Sequence, residues 1–337
     1  MDFEFHYYIT GIIARQAGFS EEDARIIAYA SQFVDDNDVI LNVKDRKTGQ
    51  AYSNYISQTM DILKPKKALM RIYPIFHFVP GDPTVESARR GDGKMHILNT
   101  TPDNETANDM LSNAFKSFTD IRPYRIGIAT HAYVDTWAHQ NFVGFNDSFN
   151  GSILNPIPNI GHAEAKHHPD WVSHRWEDDR LVESDVDNNL RFISAAKRLF
   201  ENYVDFLCSD AAWTNLEKDL LLIMGRSRRG NQNYGREKRL EGYCQMAKWL
   251  PQYDEDDWFN KAIEQEVHGL KDSQDGILAK FTIFKDQYWW KEDVRKEDTH
   301  WFKFQEAVKE HQALALARVS YLFDDLVTCK RKKHQLF

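Results

Sequence analysis

The stretch PYRIGIATHAYVDTWAHQNF, residues 123–142, predicts a helix buried in the centre of the protein. Pro123 suits the first turn of a helix, and apolar residues on nearly every side are typical of a buried one. His131, Asp135 and His139 follow one another at intervals of four. Because four residues advance only ~40° around an α-helix, these side chains are predicted to form a column on one face, rising ~6 Å per step. A buried carboxylate between two imidazoles must be paired or bind a metal.

The helix alone leaves two interpretations open, a hydrogen-bonded Asp–His pair in a helical core and part of a metal site. Four further candidates in the first half of the chain favour the metal site. They are His6 on a predicted first helix, Asp35 at the end of a second, His77 within IYPIFHFVP, and His162 after a glycine. Imidazole with carboxylate is a ligand set that zinc favours. At least four His and two Asp exceed what one ion requires, which indicates two or three ions.

Composition narrows the class of protein. The 337 residues carry a net charge of −8, with 42% hydrophobic and 28% charged residues, which is typical of a soluble globular protein. Three scattered cysteines, Cys208, Cys244 and Cys329, provide neither a disulfide framework nor a thiolate metal site. The acidic balance argues against a protein that coats DNA with a basic stripe. It does not exclude phosphate chemistry at a metal centre, where the ions carry positive charge.

The pattern along the chain predicts a single, mainly α-helical domain, a helical bundle spanning residues 1–330. Residues 1–180 carry the candidate site, 181–330 form a helical remainder, and 331–337 form a basic tail. The predicted helices are 5–17, 105–119, 123–142, a helix from Ser20 to about Val34, and segments between 184 and 325 broken near 209–213, 226–234, 251–254 and 269–275. Two β-prone runs, Val39–Val43 and Arg71–Phe78, lie in a loop-rich region from 39 to 100, where we expect at most one small β-hairpin.

The first residues do not resemble a signal peptide, because Asp2 and Glu4 stand where a basic region would be. No window approaches the ~20 apolar residues of a transmembrane helix. We therefore expect a protein without a transmembrane segment that is cytoplasmic or exported without a cleavable signal peptide.

The order of the candidate ligands resembles the zinc-dependent phospholipase C and single-strand-specific zinc nuclease superfamily. The similarity rests on the series His6, Asp35, His77, His131-x-x-x-Asp135, His139 and His162. FHYY, AYASQFVDDN, GIATHAYVDTWAHQ and GHAEA are also similar to landmarks of an uncharacterised bacterial family. The resemblance covers about residues 1–180. It implies an all-α phosphodiesterase with a trinuclear zinc cluster.

The resemblance assigns roles around the first two ions. Asp35 would bridge them, and His77 with His131 would complete the coordination of one. Asp135 would reach toward the second, which it shares with His6. Asp35 and Asp135 are therefore the candidate catalytic residues. The implied cofactor is Zn²⁺ in two or three copies, with another divalent metal as the alternative.

A third ion would be held by His139 and His162. The acidic partner of His162 stays open, because Lys166 stands where it is expected. The additional candidate ligands are Asp36, Glu164, His167, Asp170, His174 and Asp178. The resemblance also departs at the start of the chain, where MDFEF lacks the tryptophan whose amine and carbonyl bind zinc in the superfamily.

The implied activity is phosphodiester hydrolysis. Two ions lower the pKa of a bridging water toward ~7, and the resulting hydroxide attacks phosphorus. A phospholipase C-like hydrolase acting on a lipid or small-molecule phosphodiester is favoured over a nuclease of the same superfamily, because the chain is acidic and rich in aromatic residues. A non-catalytic metal-stabilised binding or effector protein, or an exported lipase toxin, is the alternative. Arg226, Arg228 and Arg229 are weak candidates for binding an anionic substrate, because a solvated basic loop explains them better.

Overall fold

The computed structural model describes residues 1–59, 71–152, 159–266 and 286–334, with side chains up to Phe323 in the last helix. The α-helices are α1 Thr10–Ala17, α2 Glu21–Asp36, α3 Tyr73–Phe76, α4 Glu105–Phe115, α5 Arg122–Ala138, α6 Asn188–Leu207, α7 Trp213–Met224, α8 Arg236–Met246, α9 Asp257–Ala262 and α10 His300–His334. A π-helix, Glu4–Ile9, leads into α1, and short 3-10 helices span Glu86–Ala88, Ser148–Asn150 and Lys296–Asp298. The strands are β1 Asn42–Lys44, β2 Ala51–Ser53, β3 Asn146–Asp147, β4 Asn159–Ile160, β5 Arg175–Glu177, β6 Asp185–Asp187, β7 Ile263–Glu266 and β8 Gln287–Trp290.

The prediction of a mainly α-helical bundle is wrong. Helices account for 51% of the structure and strands for 10%, and the strands form several small sheets, so the fold is mixed α/β. The largest sheet has four strands in the order β2-β1-β8-β7. Its β1 is antiparallel to β2 and parallel to β8, with Val43 opposite Tyr288. Strands this short, paired so far apart along the chain, leave no local hydrophobic pattern to detect.

Three local predictions can be compared with this sheet. The hairpin expected between residues 39 and 100 is formed by β1 and β2. The β-prone run Arg71–Phe78 instead contains the short helix α3, in whose first turn Pro74 is tolerated. Strands β7 and β8 lie in two of the segments between 184 and 325 that were predicted to be helical. The helix break predicted at 269–275 lies outside the described residues.

Helices α2 and α5 form the centre of the core. Gly127 of α5 allows them to touch, because a Cβ atom there would lie 2.6 Å from both the Ala30 Cβ and the Ile27 carbonyl oxygen. Helix α2 begins as predicted, with the Ser20 hydroxyl accepting a hydrogen bond from the Asp23 amide at 3.0 Å. Helix α10 also packs against α5. The close contact at Gly127 places the end of α2 beside the middle of α5.

The C-terminal helix crosses the boundary expected at residue 330. Helix α10 runs to His334, and residues 335–337 of the predicted basic tail lie outside the described residues. In the part of the chain that the structure describes, no helix has the length and apolar character needed to cross a bilayer.

Candidate metal centre

Histidine and aspartate side chains from five separate segments meet beside α5. His6 comes from the π-helix, Asp35 from the last turn of α2, and His77 from the residue after α3. His131 and Asp135 lie on one face of α5, with the His131 Nε2 3.2 Å from the Asp135 Oδ2. The structure forms three groups whose ligand atoms lie within 4.8 Å of one another: His6 with Asp35 and His131; His77 with His131 and Asp135; His139 with His162 and Asp170. These groups can hold metal ions.

Backbone carbonyls determine which nitrogen of His77 and of His131 faces the cluster. A carbonyl oxygen only accepts, so the nitrogen opposite it carries the hydrogen. The His131 Nδ1 donates to the Ser31 carbonyl at 2.7 Å, and the His77 Nε2 donates to the Ser57 carbonyl at 3.0 Å. In a neutral ring, the opposite nitrogen then presents a lone pair. A second hydrogen bond that fixes the free nitrogen in this way is the usual arrangement around metal-binding histidines.

The lone pairs of His77 and His131 face each other and a carboxylate. The His131 Nε2 lies 3.0 Å from the His77 Nδ1, and both lie near the Asp135 Oδ2, at 3.2 and 3.4 Å. Three acceptors this close repel one another unless a proton or a cation lies between them. A tetrahedral zinc ion, with bonds of about 2.0–2.1 Å, separates its ligand atoms by roughly 3.3 Å. The spacing of the three atoms therefore fits a bound divalent ion.

The group at the end of α5 has the same construction. Helix α5 ends at Ala138, one residue before His139, whose Nδ1 donates to the His77 carbonyl at 2.7 Å. The His162 Nδ1 donates to the Lys166 carbonyl at 2.6 Å. The free Nε2 atoms of the two rings lie 3.3 and 3.4 Å from the two carboxylate oxygens of Asp170. Of the acidic candidates, the structure thus brings Asp170 to this group.

Several cluster atoms are buried without a hydrogen-bond partner among the described residues. They are both ring nitrogens of His6, the Asp135 Oδ2 and the Asp170 Oδ1. The His6 Nε2 lies 3.2 Å from the Asp135 Oδ1, and the His6 ring stacks on His131 with 3.8 Å between centroids. Buried polar atoms are almost always satisfied, so each such atom needs an explanation. Metal coordination would satisfy the two carboxylate oxygens and one of the two His6 nitrogens.

Burial and mutual charge set the protonation of the cluster. Burial lowers the pKa of His6 to about 3, with His131 adding to the effect, and burial also lowers the pKa of His139. Burial lowers the pKa of His131 too, but the charges of Asp135 and Asp35 together outweigh it and the net pKa is raised. Although burial raises the pKa of Asp135, the surrounding histidines hold it well below its usual value. Near pH 7 Asp135 is thus a charged carboxylate, and His6 and His139 are neutral imidazoles, the forms that bind metals.

A cavity of about 670 Å³ opens onto the cluster. Asp35, His77, Asp135, His139, His162 and Asp170 face it from the cluster side. Its other walls include Tyr73, Phe78, Ile160 and Trp171, so much of the lining is apolar and aromatic. Lys166 and His167 also border it. A concave, mostly apolar site with a few convergent polar groups is typical of small-molecule binding.

Three of the additional ligand candidates, Asp36, Glu164 and His174, have other partners. Asp36 accepts hydrogen bonds from the Tyr253 hydroxyl at 2.5 Å and from Gln32. Glu164 accepts from the Ser152 amide at 3.1 Å. His174 lies with its Nε2 2.7 Å from the His168 Nδ1.

Asp178 forms a buried ion pair with Arg180, at 2.6 Å. His167 reaches the cavity wall, where its ring stacks on Trp171, but belongs to none of the three ligand groups. Asp36, Glu164, His167, His174 and Asp178 therefore lie outside the cluster.

The three arginines proposed for substrate binding do not line this cavity. Arg229 is exposed and pairs with Glu177 at 3.1 Å and Asp185 at 2.8 Å. The Arg228 backbone pairs with His174. The basic segment therefore lies against acidic strands rather than at the candidate metal centre.

The amino terminus also reaches the candidate metal centre, which the sequence did not predict. The amino group of Met1 donates a hydrogen bond to the Asp135 carboxylate and lies 3.6 Å from the Asp170 Oδ1. Its burial lowers the pKa of the amino group, but Asp135 and Asp170 outweigh burial and raise it overall. Without the superfamily's tryptophan, nothing in MDFEF indicated that residue 1 reaches the cluster.

Comparison with known proteins identifies the family and nothing more specific. No curated protein and no solved structure matches the chain. Residues 1–319 match a family described as "Family of unknown function (DUF6765)". The match covers most of the chain, including every residue of the metal cluster. The protein therefore belongs to the DUF6765 family.

Proposed function

We propose that this protein is a metal-dependent phosphodiester hydrolase, similar to the zinc phospholipases C and nucleases. The observation that carries the proposal is the crowding of lone pairs at one end of a cavity. The His77 Nδ1, the His131 Nε2 and the Asp135 Oδ2 lie 3.0–3.4 Å apart, and the carbonyl-bound tautomers leave no hydrogen between them when the rings are neutral. A single buried Asp–His pair would not need four histidines arranged in this way.

The ligands divide into sets for two or three zinc ions. Because the His131 Nε2 has one lone pair, it serves a single ion, which we assign to His77, His131 and the Asp135 Oδ2, with Asp35 as a further ligand. The Asp35 Oδ1 lies 3.7 Å from the facing nitrogen of each of these histidines. His6 and Asp135 would hold a second ion. The separate group of His139, His162 and Asp170 would hold a third.

Divalent ions in such a site polarise phosphoryl oxygens and lower the pKa of water toward ~7. The chain's own residues would orient the reactants. Asp35 is 29% exposed and borders the cavity, whereas Asp135 is 1% exposed. Asp35 is therefore placed to accept a proton from water in the cavity, while Asp135 holds the ligand set together.

The cavity walls favour a lipid or another apolar phosphodiester over nucleic acid. Tyr73, Phe78 and Trp171 would pack against an apolar substituent and exclude water from the reacting group. Lys166 borders the same cavity and could compensate a negative charge. A nuclease of the same type remains the closest alternative, since aromatic walls also stack on bases.

A non-catalytic role is the second candidate. The cluster joins five segments spread from residue 6 to residue 170, so bound ions would stabilise the fold even without catalysis. Catalysis is tested by the Asp35→Asn variant with Asp36→Asn as its matched control, because Asp36 ends the same helix but bonds to Tyr253.

The protein should be purified under zinc-replete conditions, analysed for metal, and assayed with bis-p-nitrophenyl phosphate, phosphatidylcholine vesicles and a single-stranded oligonucleotide. We expect at least two equivalents of metal and turnover that is lost in Asp35→Asn and retained in Asp36→Asn. Bound metal without turnover of any of these substrates would favour the non-catalytic role. Absence of bound metal would contradict both.

A further inference from the structure

The basic segment between residues 226 and 239 ends in an arginine unlike the others. Arg229 is 52% exposed, but Arg239 is 4% exposed and lies against Glu4, which is fully buried. The Arg239 Nε donates to the Glu4 Oε2 at 2.7 Å, and its Nη2 donates to the Glu4 Oε1 at 2.8 Å. This is a bidentate pair, the strongest geometry available to a guanidinium and a carboxylate.

The arginine is itself fixed by its own segment. Its Nη1 donates to the Tyr234 carbonyl at 2.6 Å, and its Nη2 also donates to the Asn233 side-chain oxygen at 2.5 Å. The Asn233 amide in turn donates to the Asp2 Oδ2 at 3.2 Å and to the Glu4 Oε1 at 3.4 Å. Residues 233–239 thus bind both Asp2 and Glu4 of the N-terminal segment.

Stability alone is a weak reason for such a pair. Burying two charges costs several kcal/mol per ion, and apolar replacements of buried ion pairs are often neutral or stabilising. What the pair does specify is position. Glu4 opens the π-helix that carries His6, and π-helical turns occur frequently at functional sites.

The position of His6 decides whether one ligand group is complete. Its Nε2 lies 3.2 Å from the Asp135 Oδ1, and neither ring nitrogen has a hydrogen-bond partner among the described residues. Unlike His77 and His131, His6 therefore has no carbonyl to orient its ring. Its orientation depends on stacking against His131 and on the backbone of the π-helix, which sets where the ring begins.

We propose that Arg239, assisted by Asn233, is a positioning residue for metal binding, which holds Glu4 and so directs His6 toward Asp135. The inference rests on the proposed metal centre but not on its catalytic activity. Arg239 contacts no ligand of the cluster and acts only through the π-helix. The basic segment would then support the metal centre through the π-helix, whereas the sequence predicted a role for it in substrate binding.

Cobalt binding tests this proposal without an activity assay. The metal-free wild-type protein, Arg239→Gln, Arg239→Lys and His6→Ala should each be titrated with Co²⁺ and followed by the visible spectrum, with Arg229→Gln as the matched surface control. We expect Arg239→Gln to weaken one Co²⁺ site about 10–100-fold, the usual cost of losing an outer partner of a ligand. The affected site should be the one that His6→Ala removes. Arg239→Lys should recover part of the affinity, and Arg229→Gln should match the wild type.

A second variant guards against misfolding. Arg239→Gln leaves Glu4 buried and unpaired, so its fold must be checked by circular dichroism. If it does not fold, Asn233→Ala carries the test, because it removes the bonds to Asp2 and Glu4 without leaving a buried charge. A smaller loss of affinity at the same site is then expected.

Wild-type Co²⁺ affinity and spectrum in a folded Arg239→Gln, or in Asn233→Ala if that variant replaces it, would overturn the proposal. A wild-type protein that binds no Co²⁺ would overturn the metal centre on which it depends. Co²⁺ binding without phosphodiester turnover would contradict only the proposed function.

Discussion

Two buried aspartates show how differently the same side chain is accommodated. Asp178 is paired with Arg180, two residues away, whose Nε and Nη2 lie 2.7 and 2.6 Å from its two oxygens. Asp135 is equally buried but is surrounded by imidazole nitrogens of His6, His77 and His131 at 3.2–3.4 Å. The first carboxylate is compensated on both oxygens by one neighbouring arginine. The second has the Met1 amino group at its Oδ1 but only imidazoles at its Oδ2, and imidazoles compensate a charge only when they carry a proton or hold a cation, which is why one region is structural and the other is a candidate metal centre.

The largest expected difference is in metal content. Replacing Asp135 with Asn should remove a ligand and lower the affinity for Zn²⁺ by more than the ~100-fold that loss of an outer partner costs. Asp178→Asn should leave the metal content unchanged. Equilibrium dialysis of both variants against buffered zinc, followed by metal analysis, gives the comparison. Equal metal content in the two variants would contradict the distinction between the two aspartates.

Stability should distinguish the buried Asp178–Arg180 pair from an ion pair at the surface. Asp178→Asn leaves the Arg180 guanidinium buried without a charged partner, and breaking such a pair typically lowers the free energy of unfolding by about 3–5 kcal/mol. Urea unfolding measures this loss. The control is Asp185→Asn, because Asp185 is 41% exposed and pairs with Arg175 and Arg229 at the surface. There we expect a loss below about 1 kcal/mol.

Removal of metal by a chelator should also distinguish the Asp135 region from the Asp178 region, through the stability that each variant loses. A ligand at 100 times its Kd stabilises the folded state by about 2.7 kcal/mol per site, so removing divalent ions with EDTA should lower the free energy of unfolding by at least that amount. The Asp178→Asn variant should lose as much as the wild type does. Asp135→Asn should lose less, since it starts with less bound metal. Thermal unfolding with and without EDTA distinguishes these outcomes.

A histidine outside the cluster provides the smallest test. His311 is buried, its Nε2 donates to the Ile75 carbonyl at 3.2 Å, and burial, with nearby Arg125, lowers its pKa to about 3. Below the ordinary histidine pKa of ~6.5, His311 is protonated in the unfolded chain but stays neutral in the folded protein. The free energy of unfolding therefore falls as the pH falls. The wild type should lose about 2 kcal/mol more than His311→Gln between pH 7 and pH 5. Identical slopes in the two proteins would show that His311 is not the titrating group.

Local patterns made part of this structure predictable. The Ser20 cap and the shared face of His131 and Asp135 depend only on residues three or four positions apart. Pairing across the chain was not predictable in the same way. The parallel contact of Val43 with Tyr288 joins strands of three and four residues, and nothing in either strand indicates the other. This is the physical reason that the mixed α/β fold was missed.

The candidate site shows the same division. Histidines in helices could be placed by spacing, but the acidic partner of His162 could not be chosen among several acids in the following loop. Chain reversal between residues 162 and 170 selects Asp170, at 3.4 Å, while Glu164 turns away to the Ser152 amide. The amino group of Met1 and the link from Arg239 to Glu4 likewise depend on contacts between distant segments.

The contact of α2 with α5 at Gly127 divides the ligands by their freedom to move. Since the two helices touch there without intervening side chains, Asp35, His131 and Asp135 are expected to behave as one rigid unit. His162 and Asp170 belong instead to a loop that lines the cavity, and loops are the kind of segment that opens at low free-energy cost. Entry and exit of an ion or substrate should therefore follow opening of this loop. Amide hydrogen exchange should be fast at residues 161–168 and slow along α5.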